Sequence, residues 1–311
     1  MQYLLVADQS LKIWSQIFVF DRYGELVSLL SQSILAGAVL GLIGGFVGIF
    51  VMMRQYAFAV HGIAEMSFSG AALFLLLGYD VVTGSLVGSI AAALLIGLLG
   101  SKAGDSNSVI GALMPFGLGL GILFLSLYEG RAGNKFSLLT GQIVSVDDAQ
   151  LTEMCVGVVV IIGLLMIVWR PLSFASMDPE IARAKGVPLR FLSLLFMLIL
   201  GVAVALSVQV VGSLLVLALL ITPAAAALEV TASPVKSLVL SVLFAELSIV
   251  GGIMLALAGA LPISPYVTTI SFMIYLICKG IGIFQRRYSA SGRRESAQLA
   301  AKPRETISST R

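Results

Sequence analysis

Histidine occurs once in the 311 residues, cysteine twice, and charged side chains make up only 11% of the chain. Each scarcity closes off a class of function. Cys155 and Cys278 lie in different apolar segments without metal-ligand spacing, so both read as small core residues. No cysteine is paired with the histidine, and no glycine loop followed by lysine is present to cradle a phosphate, so the chain cannot hydrolyse ATP itself. The first twenty-five residues carry Asp8, Lys12, Asp21, Arg22 and Glu25 and lack a basic start, an apolar run and a cleavage site. No cleaved signal peptide is expected. So little charge also lies outside the range of an ordinary soluble domain.

What is abundant is apolar. The chain is 59% hydrophobic with 32 glycines, and its mean hydropathy is +1.04. That composition predicts an all-α polytopic membrane protein with about nine transmembrane helices, packed closely through small residues. The apolar runs fall at roughly 26–53, 56–78, 84–100, 107–127, 151–169, 190–209, 212–229, 236–258 and 264–284. The run from Arg190 to Leu228 is too long for one crossing, and Gln209 to Gly212 is its natural bend. Ahead of the first span, LKIWSQIFVF is too short to cross and reads as an interfacial segment within an extracytoplasmic stretch, residues 1–25. The transmembrane body is then 26–284. Residues 285–311, rich in Ser, Arg, Lys and Ala, have little to bury and are expected to be a disordered basic tail.

Lysine and arginine set the orientation. With the loop between the fifth and sixth spans inside, Arg54, Lys102, Arg170, Arg183, Lys185, Arg190, Lys236 and Lys279 fall on the cytoplasmic side. So do the tail residues Arg286, Arg287, Arg293, Arg294, Lys302, Arg304 and Arg311, leaving only Lys12, Arg22, Arg131 and Lys135 outside. The amino terminus is therefore expected outside and the carboxyl terminus in the cytoplasm.

Within the second span, RQYAFAVHGIAEMSFSGAA places the sole histidine, His61, four residues before Glu65. At that spacing both project from one helix face, a turn apart. Ionisable groups in hydrocarbon face a partner or a wet pathway, and an imidazole with a carboxylate suits a divalent transition metal. A proton role, or a pair that merely satisfies itself or a neighbouring helix, fits the same spacing. Gly37, Gly41 and Gly45 form a flat face on the first span and Gly117 with Gly121 on the fourth. Thr222-Pro223 either kinks the seventh span beside a cavity or is simply tolerated there.

One loop differs from a plain connector. In RPLSFASMDPEIARAKGVPLR, Asp178 caps a short helix with Pro179 at its first position, Lys185 lies in the last turn and Gly186 ends it. Such a helix, in the segment 173–188, suits either docking of a soluble partner or an ordinary solvated turn.

Five stretches then carry a resemblance. RQYAFAVHGIAEMSFSGAA, NSVIGALMPFGLGLGILFLS, SLLTGQIVSVDDAQL, MDPEIARAKGVP and VGSLLVLALLITPAAAA occur in order along the chain. Together they resemble the integral-membrane permease subunit of ABC transporters for zinc, manganese and related divalent metals. The resemblance implies the metal-uptake ABC importer permease fold. It makes MDPEIARAKGVP the segment that meets the ATPase, with Asp178, Glu180, Arg183, Lys185 and Gly186 its coupling residues. The family's second span has an aspartate and, four residues on, a histidine before Leu-Pro-Gly. Here His61 and Glu65 hold those two places in exchanged order, and Ser69 stands where the proline would be. The family's acidic residue before the last Leu-Pro is replaced by Ala260.

Glu246, near the centre of the eighth span, is a second intramembrane acid: a third metal ligand, a proton acceptor or a structural hydrogen-bond partner. Asp147, Asp148 and Glu153 stand at the outer mouth, where they either concentrate cations or are simply solvated. The resemblance implies a homodimer in the lipid bilayer of the plasma or inner membrane, a separate ABC ATPase, an extracytoplasmic metal-binding lipoprotein and no nucleic-acid partner. No permanently bound cofactor is expected; the metal is substrate, and His61 and Glu65 are its transient ligands. A lone histidine with two acids and no pathway cysteine favours manganese over zinc or iron. The contrasting reading is a proton-coupled secondary transporter using His61, Glu65 and Glu246 as a relay.

Overall fold

In lipid a backbone N–H or C=O finds no water, so an apolar run must satisfy these groups within itself, as a helix. A computed structural model describes residues 30–99, 103–130, 146–257 and 263–301 together with Gly24 and Val27, with side chains described except at 103–106 and 287–301. Among these residues the regular structure is helical throughout. The elements are α1 (Ser31–Met53), α2 (Ala57–Leu77), α3 (Val81–Leu99), α4 (Ala103–Leu127), α5 (Asp148–Met177), α6 (Pro179–Ala184), α7 (Leu189–Val230), α8 (Pro234–Leu257) and α9 (Ile263–Ala301). All except α6 contain a stretch long and apolar enough to cross a membrane.

Helix α7 spans 42 residues, roughly 63 Å at 1.5 Å per residue and about twice the hydrocarbon thickness. Its backbone leaves the helical region at Gly212 (φ 78, ψ 161), a conformation that favours glycine. Contacts show that the chain reverses there. Before the break, Leu194 lies against Gly97, and the Ser85 hydroxyl donates to the Ala205 carbonyl at 3.5 Å, so this half runs antiparallel to α3. After it, Leu219 faces Gly44 and Ala224 faces Gly48, so this half runs parallel to α1. The expected bend at Gln209 to Gly212 is thus present. The described helices make nine crossings, with Ser31 and Arg286 at opposite faces. Pro223 stays in helical backbone and is buried, so the seventh crossing breaks at glycine and not at its proline.

The halves of α7 form the centre, with α1, α3, α8 and α9 packed around them. Close approach is greatest where Gly48 meets the Leu220 carbonyl, into which any Cβ would run directly. Gly48→Val is accordingly expected to lower folding stability by about 1–3 kcal/mol or more, read as a lower unfolding temperature of the detergent-solubilised protein. Gln55 adopts the left-handed region (φ 59), which costs a side-chain-bearing residue about 1 kcal/mol or more. It joins α1 to α2 in a three-residue turn: Arg54, Gln55 and Tyr56 donate backbone bonds to Phe50, Met52 and Val51 at 3.0, 3.2 and 2.8 Å.

Two expectations about the termini meet the structure differently. Residues 1–23 lie outside the described residues, as do Lys102, Arg131 and Lys135. The expected disordered tail, by contrast, continues α9 as helix as far as Ala301. Its Ala, Arg, Glu, Gln and Leu are good helix formers, and the preceding span supplies the nucleus. Residues 302–311 lie outside the described residues. At the start of this extension Arg286 Nη2 donates to Glu229 Oε2 at 2.8 Å, tying α9 to the end of α7. Truncation after Tyr288 keeps that pair and is expected to leave membrane insertion and thermal stability unchanged, measured on purified protein.

Candidate functional site

The site residues on α2 are held by backbone packing from two sides. On one side the α4 residue Gly117 lies against the backbone of Glu65 and Met66, where an added Cβ would be 2.9 Å from the Glu65 carbonyl carbon. On the other, the Ser67 and Ser85 hydroxyls pair at 2.7 Å and Gly88 of α3 packs on the Met66 carbonyl. That clamp fixes the turn carrying His61 and Glu65. Glu65 is 3% exposed and His61 28%. His61 Nδ1 lies 3.8 Å from Glu65 Oε1, beyond a hydrogen bond, so the two face one space without closing on each other.

Both carry unused capacity. His61 Nδ1 and Glu65 Oε2 are buried without a hydrogen-bond partner among the described residues. An orphaned buried polar atom costs about 1–3 kcal/mol. An imidazole nitrogen and a carboxylate oxygen one helical turn apart are donors a divalent cation can bridge, and such a cation would relieve that cost.

Glu246 is placed elsewhere. On α8 its carboxylate lies over Gly41 of α1, whose missing side chain leaves the room: an added Cβ would be 2.9 Å from both Cδ and Oε1. Among the described residues no three His, Cys, Asp or Glu side chains come together as a metal-binding group, so Glu246 does not join His61 and Glu65. Two of the three acids near the start of α5 do structural work, while Glu153 is exposed. Asp147 Oδ1 accepts from the Gln150 N–H at 2.7 Å and caps α5, while Asp148 Oδ1 accepts from Gln32 Nε2 at 2.6 Å and ties α5 to α1.

The segment between α5 and α7 folds as its residues dictate. Asp178 Oδ1 accepts from the Ile181 N–H at 3.0 Å, Pro179 opens α6, and Gly186 ends the turn at φ 80. Ala182 is fully buried and anchors α6, whereas Glu180, Arg183, Lys185 and Gly186 are exposed. Lys185 Nζ lies 5.6 Å from the Phe174 ring centroid. Three further groups hold unpaired buried atoms that spacing along the sequence does not reveal. Gln209 Nε2 and Ser213 Oγ flank the Gly212 break and are buried without hydrogen-bond partners, as is Arg54 Nη1.

Eight helices long and apolar enough to cross a membrane, one of them broken at Gly212, with an ionisable pair inside one of them, make this a polytopic membrane protein. Residues 27–281 match the model of the ABC 3 transport family, and the chain belongs to that family as a permease subunit, the component that is not itself catalytic. It is 29% identical over 238 residues to the manganese transport system membrane protein MntC of Halalkalibacterium halodurans, covering 76% of this chain and 81% of that one. It is 24% identical over 253 residues to the high-affinity zinc uptake system membrane protein ZnuB of Haemophilus influenzae, covering 81% and 97%. Among solved structures, PsaBC from Streptococcus pneumoniae in complex with Fab superposes with a TM-score of 0.75 at 26% identity, over 84% of this chain and 95% of that one.

Proposed function

We propose that the chain is the permease of an ATP-driven importer of a divalent transition metal (manganese, zinc or iron), with manganese favoured. The observation that carries the reading is the His61–Glu65 pair: two metal-suited donors on one turn of a spanning helix, each with a buried atom unpaired. The names of the relatives support a metal cargo. His61 and Glu65 act as transient ligands, and their hold stays weak because the ion must leave. Glu246, set apart over Gly41, serves as a structural or proton-accepting carboxylate in preference to a third ligand.

ATP hydrolysis belongs to a separate ATPase bound at α6 through Glu180, Arg183 and Lys185, with Asp178 and Gly186 shaping the helix. Two copies of the permease, two ATPases and an extracytoplasmic binding protein complete the machine. ATP binding closes the ATPase pair, moves the α6 helices and turns the cavity from outward- to inward-facing. The α6 face is the cytoplasmic one. Arg54, Arg170, Arg183, Lys185, Arg190, Lys236 and Arg286 lie at or near the ends of spans or in the connecting segments that this orientation puts inside, and the positive-inside rule supports it. Uptake of Mn2+ into cells, challenged by excess Zn2+ or Fe2+, tests the assignment. Competition by Mn2+ above the others is expected, and uptake indifferent to all three ions would refute a metal cargo.

A further inference from the structure

Arg54 sits in the α1–α2 turn, and its guanidinium reaches across to α7. Nη2 donates to Ser193 Oγ at 2.5 Å, and the guanidinium carbon lies 5.6 Å from the Tyr56 ring centroid and 5.7 Å from that of Phe196. The Tyr56 and Phe196 rings stack at 6.2 Å. Phe50, in the last turn of α1, packs edge-on against Trp169 of α5 at 5.1 Å and Phe196 of α7 at 6.1 Å.

These contacts bring both arms that carry α6 to one point. Ser193 stands one turn beyond Leu189, where α7 leaves the α6 segment, and Trp169 stands on the last part of α5 before it. Tyr56 immediately precedes α2, and His61 follows five residues later, roughly 7.5 Å along the axis. A displacement of α6 therefore has a short, stiff route through Ser193 and Phe196 to Arg54 and Tyr56, and on to the helix carrying His61 and Glu65. The turn itself is held in an unfavourable arrangement, with Gln55 at positive φ and Arg54 Nη1 buried without a hydrogen-bond partner.

We propose that Arg54 is the positioning residue that couples movement of α6 to the His61–Glu65 pair, through its bond to Ser193 and its stack on Tyr56 and Phe196. The inference rests on α6 being the ATPase-coupling segment. Lysine keeps the charge but neither the planar stack nor the forked donors, so it separates the joint from simple electrostatics.

The test is the amount of Mn2+ moved per ATP hydrolysed, with the permease and its co-purified ATPase reconstituted in liposomes. Arg54→Lys and Ser193→Ala are expected to lower that ratio about tenfold while assembly and ATP hydrolysis stay within about twofold. Ser193→Thr, which retains the hydroxyl, should keep it. An unchanged ratio in both variants overturns the proposal. So does a ratio that falls only in step with assembly and thermal stability, the behaviour of a packing residue. Ser193→Ala removes one oxygen, so it keeps the test alive if Arg54→Lys does not fold. A variant lacking the charges of Glu180, Arg183 and Lys185 is measured alongside. If it stays fully coupled, the coupling reading falls and takes this proposal with it. If it uncouples while Arg54→Lys and Ser193→Ala do not, only the proposal about Arg54 falls.

Discussion

His61→Ala and Glu65→Ala are each expected to reduce metal uptake by about a hundredfold or more, while the protein inserts, assembles and melts at an unchanged or higher temperature. The uptake loss follows from removing one of only two donors on the turn. A cation left with one donor has little to replace its hydration shell. The unchanged stability follows from the orphaned atoms. His61 Nδ1 and Glu65 Oε2 make no hydrogen bond among the described residues, and the pair stands 3.8 Å apart, so truncation deletes desolvation cost and breaks no bond. Glu65→Gln keeps shape and hydrogen-bonding groups but removes the charge, and uptake should fall nearly as far. A purely structural pair behaves oppositely: stability drops with each truncation, and uptake falls only as far as folding does. Radiolabelled Mn2+ uptake at matched expression, with a thermal melt of the same preparations, separates the two.

The fold was largely legible because lipid leaves the chain few options. Apolar run length set the crossings, and Gly212 lay inside the expected bend because 42 residues cannot cross once. Local chemistry was equally readable. The helical spacing put His61 and Glu65 a turn apart, and Asp178, Pro179 and Gly186 fixed the bounds of α6 before any tertiary contact was considered. What stayed hidden depends on pairings distant in sequence. Nothing local says that Arg54 reaches Ser193, 139 residues away. Nor does any pattern show that Gly41 makes room for Glu246, which leaves that acid apart from His61 and Glu65. Past Arg286, Ala, Arg and Glu extend a helix that is already nucleated by the span before it, as far as Ala301.

Replacing Glu180, Arg183 and Lys185 together is expected to separate the permease from its ATPase, or to leave ATP hydrolysis that moves no metal. The helix that bears them should survive the change. Its cap is Asp178, its anchor is the fully buried Ala182, and the Val187 N–H closes on the Ala182 carbonyl at 3.0 Å, none of which uses the three charges. Within the chain Lys185 has its contact with the Phe174 ring, worth about 0.5–1 kcal/mol at an exposed site, too little to unfold α6. Loss of function in this variant therefore reports on what α6 meets and not on α6 itself. A contact made by exposed charges is also screened by salt. Raising ionic strength to about 1 M, where the Debye length falls to roughly 3 Å, should weaken wild-type co-purification in the same direction as the substitutions. Complexes that co-purify normally and move metal at the wild-type ratio per ATP would reduce α6 to a solvated connector. The route through Ser193 and Arg54 would then have no force to transmit.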